Sequence, residues 1–293
     1  MKCGYISICG LPNAGKSTLI NRLLGEKLAI VSHKPQTTRK KMIYLFTDEN
    51  SQIVLLDTPG YFPKAKNKLD EFLLEQIEEA QKGCDLILYM TSDKVTSPRE
   101  EEFVNSILHS NSICIINKSD TFTKEELETR KKGLEKIGFK GEICHISALN
   151  GDGIEELLAK IKELLPEEEN YLYDPELISL EKTRDIVEEL IRGELFLILE
   201  QELPYVCGVS LEEMKTRDNG LEYISATIYC ERDSQKKIII GKKGNNLRKI
   251  GIAARNAIED FLGKKVYLDI WIKVYPKWRK NQNMLNNLGY KRT

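Results

Sequence analysis

Apolar runs of five to seven residues recur through the first half of the chain, each closing on a polar or glycine-containing cluster: Tyr5–Cys9, Met42–Phe46, Gln52–Leu56, Cys84–Met90, Ser112–Ile116 and Glu142–Ile146. Short runs of this kind read as strands, most of them buried on both faces. Between them, Thr18–Leu24, Lys68–Gln81, Arg99–Ser110, Lys124–Ile137 and Gly153–Leu165 place apolar residues three and four apart, the spacing of a helix with one buried face. Strands alternating with helices predict an α/β domain with a mainly parallel sheet covered on both sides. The pattern stops at Pro166–Pro175, where two prolines and four acidic residues show no period, so residues 167–176 read as a linker. A second pattern follows. Glu181–Glu200 is a long amphipathic helix interrupted by Gly193. Tyr205–Leu211 and Tyr223–Cys230 are strands around a Lys215–Gly220 turn. Ser234–Ile240 is a short helix with Ser234 as its cap, followed by a helix through Phe261 and a strand over Val266–Lys273. The expected organisation is an α/β domain over residues 1–166 and an α+β domain over 177–293.

Composition narrows the function classes. At 293 residues each of two domains has enough chain for its own core. No apolar run approaches the length of a membrane span and the chain opens directly on a strand, so the expectation is a cytoplasmic protein without a leader. The seven cysteines (3, 9, 84, 114, 144, 207, 230) are scattered without a C-x-x-C, and read as reduced core thiols rather than disulfide or zinc ligands. His33, His109 and His145 have no matching cluster of acids or nucleophiles, which argues against a histidine-based hydrolase. The net charge of −1 hides a split. From Arg232 to Thr293 there are sixteen Lys/Arg against four Asp/Glu, a net of +12, whereas Thr121–Pro204 has eleven against twenty-one, a net of −10. One end of the chain is therefore built to meet a polyanion.

Candidate chemistry sits at the strand ends. Gly10-Leu11-Pro12-Asn13-Ala14-Gly15-Lys16-Ser17-Thr18 fits G-x-x-x-x-G-K-[ST], in the strand–loop–helix context this phosphate loop requires. Its backbone N–H groups would cradle phosphates at a helix N-terminus, Lys16 would reach the β- and γ-phosphates, and Ser17 would bind Mg²⁺. Val31–Lys41 reads as a polar loop, from which Thr38, with Thr37 as second choice, would complete the Mg²⁺ shell. Asp57-Thr58-Pro59-Gly60 closes a buried strand: Asp57 is a Mg²⁺-associated carboxylate, and Gly60 offers its N–H to the γ-phosphate. Asn117-Lys118-Ser119-Asp120 reads the base. Asp120 can accept from both N1–H and the 2-amino group of guanine, a donor pair adenine lacks, while Asn117 braces the loop and the Lys118 stem covers the ring. Ser147-Ala148-Leu149 follows the last strand of the domain, with the Ala148 N–H expected at guanine O6. The expected ligands are GTP or GDP with Mg²⁺. Hydrolysis would rest on Lys16, Thr38, Gly60 and Asn13, with no side-chain general base. In the second domain, Gly241-Lys242-Lys243-Gly244 lies between two helices. Small residues there let a nucleic-acid backbone come close and the lysines, with Arg248, supply charge. Ile238, Ile239, Ile240, Leu247 and Ile250 are candidates for an adjacent base groove. The order helix–strand–strand–helix–GKKG–helix–strand matches the type II KH arrangement.

The set GLPNAGKST, QTTR, DTPG, NKSD and SAL resembles the signature of translation-factor-type GTPases, and its pairing with a C-terminal KH domain resembles the bacterial Era family. The resemblance covers nearly the whole chain, including IRGEL at Ile191–Leu195, ELPY at Glu202–Tyr205 and NLGY at Asn287–Tyr290. It implies a GTPase that binds the 3′ end of 16S rRNA, assists maturation of the 30S subunit, acts as a monomer and associates peripherally with the inner membrane. Ras-like relatives place a water-orienting glutamine after the switch glycine; here Tyr61 and Phe62 follow Gly60, and neither carries a side-chain amide. Resemblance to potassium-stimulated relatives implicates Asn13 as a K⁺ ligand. Gly193 and Lys277–Asn283 depart from the family pattern.

Overall fold

The computed structural model describes residues 1–32, 34–108 and 110–291; His33 and His109 lie outside them, as do Arg292 and Thr293. The chain divides into two compact units, residues 1–65 with 73–181 and residues 66–72 with 182–293.

The first unit is built on a six-stranded sheet: β1 (Lys2–Gly10), β2 (Met42–Asp48), β3 (Ser51–Asp57), β4 (Leu86–Thr91), β5 (Ser112–Ile116) and β6 (Glu142–His145), in the order β2-β3-β1-β4-β5-β6. All pairings are parallel except β2 with β3. Helices α1 (Lys16–Leu24), α2 (Lys68–Lys82, of which residues 73–82 belong to this unit), α3 (Pro98–Ile107) and α4 (Lys124–Lys136) connect them, and α5 (Ile154–Leu164) follows β6. Every residue of β3 and β4 is buried, the reason those strands read as unbroken apolar runs. Local signals set the helix starts. Ser97 Oγ accepts from the Glu100 N–H with Pro98 in the first turn, and Thr123 and Glu126 form a reciprocal capping box on α4. Because the sheet is parallel, the loops after β1, β3, β5 and β6 leave from the same edge, the edge at which open α/β sheets hold ligands.

Residues 167–181, expected in part as a linker, form an ordered strap on this unit. Gln52 exchanges two hydrogen bonds with the Tyr173 backbone at 2.8 and 3.0 Å, and the Tyr5 and Tyr173 hydroxyls meet at 2.7 Å. The strap then runs along the edge strand β2, with Leu45 N–H donating to Ile178 O at 3.0 Å and Leu180 N–H donating to Ile43 O at 3.1 Å. Pairing of this length shields an otherwise open edge.

The second unit contains α6 (Thr183–Ile198), α7 (Leu203–Val206), β7 (Gly208–Thr216), β8 (Glu222–Cys230), α8 (Asp233–Ile240), α9 (Asn245–Leu262), β9 (Val266–Val274) and α10 (Gln282–Asn287). β7 pairs antiparallel with β8, and β8 pairs parallel with β9. Val187, Ile191, Leu195, Ile239, Ile250, Ala254 and Ile258 from the helices join Leu211, Ile224, Ala226 and Ile228 from the sheet in one core. Several details differ from the sequence expectation. Tyr205 belongs to the short α7 rather than a strand, Gly193 is buried inside an uninterrupted α6, and α8 starts one residue early. Gln235 Oε1 caps α8, accepting from the Glu231 and Arg232 N–H groups at 2.9 and 3.0 Å; Ser234 does not. The C-terminal segment is part of the fold. Trp278 is fully buried and its indole N–H donates to Val206 O at 2.8 Å. A Cβ at Gly208 would lie 2.9 Å from Leu288 Cδ1 and 3.3 Å from the Trp278 ring, so that segment packs closely over the glycine.

Candidate nucleotide site and nucleic-acid interface

The loop between β1 and α1 wraps the start of α1. Gly15 has φ +98°, and a Cβ there would stand 2.1 Å from Asn117 Nδ2; both constraints demand glycine. Beyond it, a cavity of about 470 Å³ is lined by Pro12, Asn13, Gly15, Lys16, Ser17 and Thr18 from this loop, by Thr37 and Thr38, by Gly60, by Asn117, Lys118 and Asp120, and by Ser147 and Leu149. That volume lies within the ordinary range for small-molecule sites. Gly10, Leu11, Ala14, Asp57, Thr58, Pro59 and Ala148 are buried and do not line it; they form its backing.

Lys16 is buried, and its ammonium donates to the carbonyls of Gly10 at 3.4 Å and Leu11 at 3.3 Å. Burial pulls its pKa down, opposed by the nearby Asp57 carboxylate. A charged group so placed gains from an anion in the cavity. Thr38 Oγ1 donates to Asp57 Oδ2 at 3.2 Å, whereas Thr37 Oγ1 turns back to Lys34 O at 2.8 Å. Thr38, Asp57 and Ser17 offer hard oxygen donors, a set suited to Mg²⁺. Gly60 sits on the phosphate loop: a Cβ would come within 2.9 Å of the Pro12 Cα, and the next N–H, of Tyr61, donates to Gly10 O at 3.0 Å. Tyr61 then turns to pack on Phe103, ring centroids 4.9 Å apart. Burial, with Glu102 beside it, pushes the Tyr61 phenol up to about 12.

Asn117 ties the site together. Its Nδ2 donates to Ala14 O at 2.8 Å, and its Oδ1 accepts from the Ala148 N–H at 3.0 Å. The N–H expected at guanine O6 is therefore already engaged by Asn117, so any O6 contact there is shared with that bond. Lys118 adopts φ +59° and donates from Nζ to Asn13 O at 3.0 Å. Asp120 is exposed at the cavity wall. Sequence reasoning missed the side chains that hold these loops. Asn21 bonds Ala29 O at 2.8 Å and accepts from the Leu28 and Ala29 N–H groups. Arg22 Nε donates to Ala148 O at 3.1 Å and its Nη2 to Leu149 O. Ile30, Val31, Ser32, Lys34, Gln36 and Thr121 also line the cavity. Gln36 opens the QTTR segment and Val31, Ser32 and Lys34 lie in the polar loop before it, whereas Ile30 and Thr121 have no sequence signal beyond nearness to a motif.

In the second unit, Gly241 closes α8 at φ +74°, Lys243 has φ +54°, and Gly244 has φ +78° before α9 begins. A Cβ at Gly241 would press 2.8 Å from Asn246, whose Nδ2 donates to Ile238 O at 2.9 Å. The result is a tight turn with Lys242 and Lys243 exposed and Arg248 exposed on the first turns of α9. The apolar groove candidates divide: Ile239 and Ile250 are core, Ile240 and Leu247 are partly buried against it, and only Ile238 is largely exposed.

Residues 5–118 match the family described as 50S ribosome-binding GTPase, and residues 202–279 match the KH domain. The chain is 43% identical over 294 residues to GTPase Era of Clostridioides difficile, covering 99% of this chain and 98% of the relative. It is 40% identical over 294 residues to GTPase Era of Halothermothrix orenii, covering 99% of each. The chain belongs to the Era family of GTPases. Two solved Era structures, each covering 99% of both chains, superimpose with TM-scores of 0.94. One is an Aquifex aeolicus Era variant bound to GDP and tetrafluoroaluminate, at 35% identity. The other is an Era complex with MgGDPNP and nucleotides 1506–1542 of 16S ribosomal RNA, at 36% identity. The Era architecture of a GTPase domain followed by a KH domain thus spans this whole chain. No helix among its described residues is long and apolar enough to cross a membrane.

Proposed function

We propose that this Era-family GTPase binds the 3′ end of 16S rRNA through its KH domain, assists maturation of the 30S subunit, and uses its nucleotide state to control that engagement. The observation that carries the reading is the convergence on one cavity of four strand-end segments and the loop before β2, in a chain that also holds the GKKG turn. The Era complex with 16S nucleotides supports it from a relative that matches over its full length.

In this reading Gly10–Thr18 wrap the phosphates. Lys16, poised on two carbonyls at the cavity wall, transfers its ammonium to the β- and γ-phosphates. Ser17, Thr38 and Asp57 hold Mg²⁺, which when bound supplies neutralising charge to the phosphate oxygens. The Thr38–Asp57 contact and the seat of Gly60 on Pro12 belong to the two loops that a γ-phosphate would reorder. Asp120 reads N1–H and the 2-amino group of guanine, Lys118 covers the ring, and Asn117, Ser147, Ala148 and Leu149 shape the base wall. Tyr61 is packed on Phe103 and stays protonated at neutral pH, so hydrolysis rests on positioning and electrostatics rather than on a side-chain base. Asn13 is exposed at φ +64°. Its backbone carbonyl is taken by Lys118, which leaves the side-chain oxygen for K⁺ beside the transferring group. The resemblance to Era extends the reading to a monomer with peripheral contact at the inner membrane.

A 16S 3′-terminal RNA fragment tests the proposal by filter binding at physiological salt, with turnover measured in K⁺ and in Na⁺. The GTP-analogue form is expected to bind the RNA more tightly than the GDP form, and K⁺ to raise turnover. Gly244→Asp points into open space and is expected to keep GTP hydrolysis while losing RNA affinity. Undiminished RNA binding by that variant refutes the clamp, and equal turnover in the two cations refutes the K⁺ site.

A further inference from the structure

Arg22 lies outside every nucleotide motif, yet it reaches from the last turn of α1 to the loop after β6, 126 positions away in sequence. Its guanidinium grips two consecutive carbonyls, Nε to Ala148 O at 3.1 Å and Nη2 to Leu149 O. A trans peptide is planar, so fixing a carbonyl fixes the N–H on its opposite side. Holding Ala148 O therefore orients the Leu149 N–H, and Leu149 lines the cavity. From the other side, Asn117 Oδ1 holds the Ala148 N–H at 3.0 Å. The two donors of this loop are thus set by two different side chains, one on β5's end and one on α1. A guanidinium fork suits such a grip because it offers parallel N–H groups in a fixed plane, which neither lysine nor glutamine reproduces.

We infer that Arg22 is a positioning residue for recognition of the 6-oxo group of guanine, acting through the peptide planes of Ala148 and Leu149 without touching the nucleotide. The inference rests on the guanine reading above and adds a residue to it. It also links the phosphate helix to the base loop, because α1 begins at the phosphate-binding Lys16 and carries Arg22 in its last turn. A rival role needs only the charge: a cation in the last turn of a helix interacts favourably with its dipole. That role predicts lower stability and equal weakening of all nucleotides.

Base analogues separate the two. 6-Thio-GDP keeps N1–H and the 2-amino group but replaces the 6-oxo oxygen with sulfur, a weak acceptor; IDP keeps the 6-oxo group and lacks the 2-amino group. Affinities of GDP, 6-thio-GDP and IDP are measured by calorimetry at neutral pH for the wild type, Arg22→Ala and Arg22→Lys, alongside melting curves. The GDP preference over 6-thio-GDP is expected to shrink about fivefold in Arg22→Ala, of the order of one net hydrogen bond, and less in Arg22→Lys. The GDP preference over IDP is expected to stay at its wild-type value in both. An unchanged 6-thio-GDP ratio in Arg22→Ala overturns the inference, as does an equal loss for all three nucleotides. A wild type that fails to discriminate either analogue from GDP overturns the guanine reading itself.

Discussion

Gly15 shows how one position carries two functions of the site. Its φ of +98° aims the phosphate loop, and the missing Cβ leaves room for the carboxamide of Asn117, which would otherwise be 2.1 Å away. Gly15→Ala is therefore expected to displace Asn117 from both Ala14 O and the Ala148 N–H. Stranding buried polar groups costs about 1–3 kcal/mol each, so GDP affinity should fall by at least about thirtyfold, read by fluorescent-nucleotide titration. Near-normal affinity would show that Asn117 does not couple the two loops. At this scale the sequence is legible where chemistry demands a residue type: Lys16, Asp57, Asn117 and Asp120 are visible because a motif fixes their spacing. Arg22 and Asn21 are invisible by the same logic. They act on backbone carbonyls and N–H groups, which any sequence supplies, and Arg22 finds its partners only once the sheet has formed. The engagement of the Ala148 N–H by Asn117 is equally a property of assembled loops.

At the level of elements, α3 and α4 are locked by a buried ion pair. Arg130 and Glu100 are both fully buried, Glu100 also takes the Tyr89 hydroxyl, and Arg130 Nη2 donates to Thr91 Oγ1 at 2.8 Å. Thr91 ends β4, and its carbonyl accepts from the Asn117 N–H at 2.8 Å. Arg130→Met leaves Glu100 buried without its cation, and losing one partner of such a pair costs about 3–5 kcal/mol. Urea denaturation is expected to show a loss of that size, and Glu100→Leu with Arg130→Met to be less destabilised than Arg130→Met alone. A single variant as stable as the wild type would mean the pair is replaced by water without cost. Helices α2 to α5 could be read from period because each buries one face. The strap over residues 167–181 could not: its hold on β2 and Gln52 comes from backbone pairing and from Tyr173, and irregular backbone pairing leaves no periodic trace. The same is true of Gln235, whose reach back to cap α8 outcompetes the serine that the sequence favours.

Across the whole molecule, the basic excess of the C-terminal segment is not one undivided field. Lys264 is paired with Glu222, Lys265 with Glu259 and Arg279 with Glu231, and Trp278 commits the following segment to packing. Among the described residues, Lys242, Lys243 and Arg248 form no ion pair and are exposed around a turn whose glycines leave the backbone accessible. Lys237, Lys249, Arg255, Lys273, Lys277 and Lys280 are exposed as well, so what sets the turn apart is its accessible backbone, and it is there that phosphate contacts are expected. Each phosphate neutralised on a single strand contributes about −0.7 to the slope of log affinity against log salt. Lys242→Gln with Lys243→Gln should therefore flatten that slope by about 1.4 for the 16S 3′-terminal fragment. GTP turnover without RNA should remain at the wild-type value, since neither lysine lines the nucleotide cavity. The slope decides the matter better than affinity does, because any surface change can weaken binding, whereas only lost phosphate contacts alter the counterions released. An affinity loss with the slope intact would place these lysines away from the phosphates and return the polyanion contact to the wider basic surface.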